Sequence, residues 1–157
     1  MNQPFHSKIE EVEAGIVLLG NELVANLPIA ALALLASDTI TAEEIIKADE
    51  KFNKIAEDLE QLCYLHLALQ KPNGPELRRT ISSLRIIADI ERSHDLIVNM
   101  AKATIRMVGF KIDATVSQLI GEMARQAAFE FKHAVEAYQK KDETLAHSIV
   151  TTDSVLD

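Results

Sequence analysis

Two carboxylates one helical turn apart, Glu91 and Asp95, are the residues in this chain best spaced for chemistry. They lie in Pro75-Glu-Leu-Arg-Arg-Thr-Ile-Ser-Ser-Leu-Arg-Ile-Ile-Ala-Asp-Ile-Glu-Arg-Ser-His-Asp-Leu-Ile-Val-Asn99, which has a helical period. At about 100° per residue, Leu77, Leu84, Ile87, Ala88, Val98 and Ile105 fall on one arc, with Glu91 at its centre and Asp95 on the same face. Arg78, Arg85, Asp89 and Arg92 fall outside. An anion on a core-facing seam is costly unless paired, protonated or bound to a cation. Carboxylates at i and i+4 can share one hard cation such as Mg²⁺, Mn²⁺, Ca²⁺ or iron. Internal pairing with Lys47, Lys51, Lys54 or Lys102 satisfies them equally well, and His94 reads as a polar edge residue.

The rest of the chain must supply helices to hold that pair. It has 157 residues, 16 basic and 24 acidic, for a net charge of −8. Five Gly and four Pro leave little material for hairpins, and an aliphatic, Ala-rich composition without Trp suits helix-on-helix packing. An acidic chain without a basic stripe is a poor nucleic-acid partner. Cys63 lies in an apolar run and reads as a buried, inert thiol. The start lacks a signal peptide, and Leu23 to Ala36 falls short of the about 20 apolar residues of a membrane span. The expected address is the cytoplasm.

Val12, Ile16, Leu19, Leu23 and Leu27 mark a first helix, with Pro28 expected to kink it. After a turn at Ser37-Asp38-Thr39, Thr41 with Glu44 reads as a capping box. A second helix then runs to about Gln70, facing Ile45, Phe52, Ile55, Leu59, Leu62 and Leu69 inward. Lys71-Pro-Asn-Gly-Pro75 breaks the chain before a third helix that ends near Gly109. Asp113 and Asp142 are expected to cap a fourth and a fifth. An offset of 104 residues places Val12 on Val116, Ile16 on Ile120, Leu27 on Phe131, Asp38 on Asp142 and Asp49 on Asp153, as a duplication would. The reading is all-α: a three-helix unit over 1–110 and the first two helices of a second over 111–157, packed as one bundle. If the natural chain holds no further helix, the apolar stripe left without its third helix predicts association, as a homodimer; in a longer chain that helix covers the stripe.

Leu69-Gln-Lys-Pro72, Glu76-Leu-Arg and Ile87-Ala-Asp-Ile-Glu-Arg-Ser-His-Asp95 resemble the PhoU family of phosphate-signalling proteins. There the turn reads Leu-Gln-x-Pro, followed by Asp-Leu-Arg and a carboxylate-Arg-Ile-Gly-Asp core. Ser93-His94 stands here in place of Ile-Gly, and Asn53 where a second acid is often found. The resemblance implies an antiparallel helical bundle of three-helix repeats and metal bound through carboxylate-x-x-x-Asp motifs. Those would be Glu91 with Asp95, then Asp49 with Asn53 and Asp153 with Asp157, holding iron, Mg, Mn or Zn. It implies a non-enzymatic negative regulator, cytoplasmic and peripheral at the inner face of the membrane. Such a protein bridges the ATPase subunit of a phosphate ABC transporter and a sensor histidine kinase. Two alternatives are a PhoU-like accessory domain of another phosphate carrier, and a ferritin-like di-metal protein built on Glu91-Arg-Ser-His94 and Glu130-Phe-Lys-His133.

Overall fold

The computed structural model describes residues 3–153, with side chains from 8 to 149, and every regular element among them is a helix. These are α1 (Gln3–Ala36), α2 (Thr39–Gln70), α3 (Gly74–Arg106), α4 (Ala114–Lys140) and α5 (Glu143–Asp153). Helices α1, α2 and α3 pack pairwise on one another, while α4 rests on α1 and α5 on α4. The core threads Ile9, Val12, Ile16, Leu19, Leu23 and Leu27 of α1 against Ile45, Phe52 and Leu59 of α2 and Ile87, Ile90 and Ile97 of α3.

Among the described residues α1 alone is long and apolar enough to cross a bilayer. Its composition has a packing reason, because it is the one helix covered by three others. Pro28 lies inside α1 without ending it.

The start of α2 corrects the capping-box reading. Asp38, not Thr41, is the cap: its Oδ1 accepts from the N–H groups of Ile40 and Thr41 at 3.1 Å, and its Oδ2 from the Thr41 hydroxyl at 2.7 Å. Burial corrects the inward list as well, since Leu69 is 63% exposed. Asp113 and Asp142 accept backbone N–H bonds from Thr115 and Leu145, which starts α4 and α5 as expected.

The α1–α2 and α4–α5 turns share one geometry. Ser37 and Lys141 both adopt left-handed backbone, at φ 55° and 54°. The next amide, of Asp38 or Asp142, donates to Ala33 or Ala137 at 2.9 Å in both turns. The register between α1 and α4 is fixed at Gly20, which faces Val135, and at Gly121, which faces Leu35. The two helices are therefore antiparallel.

Candidate functional site

Helices α2 and α3 run antiparallel, and a cavity of about 740 Å³ opens along their seam. Asp49, Glu50, Asn53, Lys54, Glu57, Glu60 and Glu91 line it, with Ile46. Its lining is all oxygen-bearing apart from Lys54 and Ile46. Lys54 is already committed, at 3.0 Å, to both Glu57 and Asp58. Lys47 pairs with Glu43, and no lysine among the described residues lies within ion-pair distance of Glu91. Internal lysine pairing therefore does not account for the acid. Burial holds the Glu91 carboxyl above the ordinary range, and Glu60, Asp95 and Asp49 push it the same way.

The structure rotates the expected face of α3. Its buried residues are Thr80, Ser83, Ile87, Ile90, His94, Ile97, Val98, Ala101 and Thr104, while Ala88 and Ile105 are exposed. On that face Glu91 sits about 75° from the centre, at a half-buried edge, and Asp95 is exposed. The cause is the hydroxyl residues. Thr80 and Thr104 donate to the carbonyls of Glu76 and Met100 at 3.0 Å. A hydroxyl satisfied within its own helix can face the core without a partner across it. Counting those positions as polar swung the apolar arc onto Glu91.

His94 is the residue that sequence reasoning misplaced most. It is 1% exposed, not at an edge, and its ring lies flat on Phe52 with centroids 3.7 Å apart and planes 5° from parallel. Its Nδ1 stands 3.4 Å from Asp49 Oδ1 and makes no hydrogen bond. Asp49 in turn accepts from Asn53 Nδ2 at 3.2 Å, while Asn53 Oδ1 is buried without a partner. His94 therefore fills core volume behind the groove, beside Asp49. A signal was available in the period: His94 falls seven residues after Ile87 and four before Val98, both core positions.

Burial holds His94 below the usual imidazole range, against the opposing pull of Asp49, Glu22 and Asp95. A folded-state pKa below the unfolded one means that the unfolded chain binds the extra proton. Stability is therefore full above the ordinary imidazole pKa of about 6.5 and falls as pH drops towards the folded value. Denaturation midpoints measured from neutral to mildly acidic pH should show this loss, and a His94→Leu variant should lack that component of it.

The remaining expected residues divide. Asp49 joins Glu91 at the groove and Asp95 borders it. Asp153 ends α5; its side chain, and the whole of Asp157, lie outside the described residues. Among the described residues no three His, Cys, Asp or Glu side chains converge as a ready metal cage. Among the described residues the ferritin-like arrangement does not form, because the backbones of α3 and α4 stay apart and His133 folds back onto the Phe129 ring and carbonyl of its own helix. Cys63 is buried, and desolvation pushes its thiol up to about 11, as expected of an inert cysteine.

A second cavity, of about 890 Å³, lies between α1, α3, α4 and α5 and is lined mainly by apolar side chains. Glu13 closes one end, paired with Arg79 at 2.6 Å and Lys141 at 3.5 Å. Those contacts tie the end of α4 back to the three-helix unit.

The PhoU domain model matches residues 16–104, over half of the chain, and takes in α2, nearly all of α3 and most of α1. The chain belongs to the PhoU family. Three curated relatives share the name phosphate-specific transport system accessory protein PhoU homolog. The Pseudomonas putida protein is 24% identical over 157 residues, all of this chain and 61% of the relative. The Rhizobium meliloti protein is 28% identical over 125 residues, 80% of this chain and 53% of the relative. The Xylella fastidiosa (strain Temecula1) protein is 28% identical over 155 residues, 98% of this chain and 63% of the relative. The chain thus spans about six tenths of the length of these relatives. Within the PhoU match lie the acidic groove, His94 and Phe52.

Proposed function

We propose that this chain is a negative regulator of phosphate uptake and signalling that works by contact, not catalysis. It belongs in the cytoplasm at the inner face of the membrane, between the ATPase subunit of a phosphate ABC transporter and a sensor histidine kinase. Family membership, which covers the helices that build the acidic groove, carries this reading. Deleting the gene should derepress phosphate-scavenging enzymes in phosphate-rich medium, measured as secreted phosphatase activity. Unchanged repression would remove the regulatory role.

The groove is proposed as the place where a cation acts on the protein. Glu91 is the principal ligand, with Asp49 on the opposite helix and Asp95 at the rim. The uncompensated charge felt at Glu91 is the observation that favours a cation there. An oxygen-only set without a closed cage suits a hydrated hard ion such as Mg²⁺ or Mn²⁺ better than zinc, which prefers nitrogen and sulfur donors. Such an ion would neutralise the acids and draw α2 and α3 together along the seam. Asp153 and Asp157 would form the matching edge of a second unit.

Residues 1–110 and 111–157 are read as one unit and part of another. The twin turns support this, as does the α1–α4 register, which brings residue 26 close to residue 130, its own equivalent at the 104-residue offset. Self-association into a homodimer belongs to the same reading.

A further inference from the structure

Helix α1 carries a second apolar stripe, on the side away from its core face. Ala14, Leu18, Asn21, Ala25, Ile29, Leu32 and Ala36 are all exposed, with Leu18 at 58%, Ile29 at 44% and Leu32 at 65%. The stripe positions are spaced symmetrically about Ala25. Reversed on itself it sets Leu18 against Leu32, Ala14 against Ala36, Asn21 against Ile29 and Ala25 against its own copy. An isologous contact has this property, since residue i meets j while j meets i. The alanines permit close approach, and one polar residue in such a stripe fixes register.

Helix α4 supplies an independent observation. Its Glu122, Arg125, Phe129, His133, Glu136 and Lys140 lie beside the α1 stripe, because the contacts of Gly20 with Val135 and of Gly121 with Leu35 turn both sets to the same side of the α1–α4 seam. Gly20 facing Val135 and Gly121 facing Leu35 place Ala25 level with the turn of α4 around residue 131. A two-fold axis at Ala25 therefore reverses α4 about that level too. Glu122 then meets Lys140 of the copy, Arg125 meets Glu136, and Phe129 meets His133. Glu136 and Lys140 already pair within α4 at 2.7 Å, and the operation that pairs the α1 stripe brings Arg125 and Glu122 of the copy to that pair, each against its opposite charge.

We propose that a second copy of this chain docks on the α1–α4 face, antiparallel, with its two-fold axis at Ala25. This rests on the homodimer reading above and assigns its face, which differs from the stripe that the sequence suggested on α4. Sedimentation equilibrium of the wild type at micromolar concentration should give a dimer. Leu18→Glu with Leu32→Glu, both at exposed positions, should weaken it about thirtyfold or more without changing the helical circular dichroism. Glu122→Lys should weaken the dimer, and adding Lys140→Glu should restore it. Under mild oxidation Ala25→Cys should form a covalent dimer, whereas Glu57→Cys, on the α2 groove, and the wild type with only buried Cys63 should not.

A wild-type monomer overturns both the dimer and its face. A dimer indifferent to the leucine substitutions, or an Ala25→Cys variant that does not cross-link, overturns the face alone. A monomer that binds phosphatidylglycerol vesicles only while Leu18 and Leu32 are intact would overturn the proposal and give the face to a lipid surface.

Discussion

Phe52→Ala should cost about 4 kcal/mol of folding stability, near the upper part of the range for removing a buried aromatic side chain. Phe52 is 1% exposed and among the largest side chains fully inside the core. Truncation removes its transfer free energy and leaves a cavity that α2 and α3 cannot close, because His94 stands on the opposite wall. It also strips the face of an imidazole whose Nδ1 already lacks a hydrogen bond. Against a total of about 5–15 kcal/mol for an ordinary domain, that is a large fraction. Chemical denaturation should show a lower midpoint at nearly constant slope, and Phe52→Leu should cost much less. A loss below about 1 kcal/mol for the alanine variant would mean that the stack does not hold the seam.

The second large effect lies where α4 meets α1. A Cβ added to Gly20 would lie 2.6 Å from Cγ2 of Val135, a side chain stiff at χ1 that cannot rotate aside cheaply. Gly20→Val should therefore cost about 1–3 kcal/mol by overpacking. The loss should be local. Among the described residues the backbone of α4 comes close only to α1 and α5, so amide exchange should rise in α4 and α5 first. Val135→Ala should make room, and Gly20→Ala in that background should gain from the better helix propensity of alanine. Additive single effects would contradict the contact, because residues that touch couple in a double-mutant cycle.

How much of this was legible in the sequence depended on which physical signal carried it. Helix number and ends followed from Asp, Gly and Pro placement, and Asp38 was visible although Thr41 was the position first read as the cap. The core face of α1 was legible because its inward residues are all aliphatic. The face of α3 was not, because four of its buried positions are Thr80, Ser83, His94 and Thr104, which periodicity counts as polar. That single rotation placed Glu91 too deep and His94 too far out. Glu91 and Asp49, picked out by spacing and family resemblance, nonetheless meet on the α2–α3 groove, with Asp95 exposed beside it. The exposed stripe on α1 was hidden for another reason: a helix apolar on two sides gives a weak moment, and only the packing of α2, α3 and α4 shows which side is left bare.

The reading of the groove as a cation site governed by Glu91 rests on a charge that is half-buried, surrounded by acids and without a lysine. A carboxyl whose folded pKa is raised opposes folding once it ionises, so its stabilising share is lost as pH rises above the unfolded value. At neutral pH Glu91 is thus a strain that the proposed cation would relieve. The deciding measurement is the unfolding free energy of wild type and Glu91→Gln at neutral pH, in chelator and then in excess Mg²⁺ or Mn²⁺. In chelator the variant should be the more stable of the two. With cation at tenfold over its dissociation constant, wild type should gain about 1.4 kcal/mol and the variant little. Equal gains in both proteins, or no gain in either, would contradict the assignment of Glu91 as the ligand on which the groove depends.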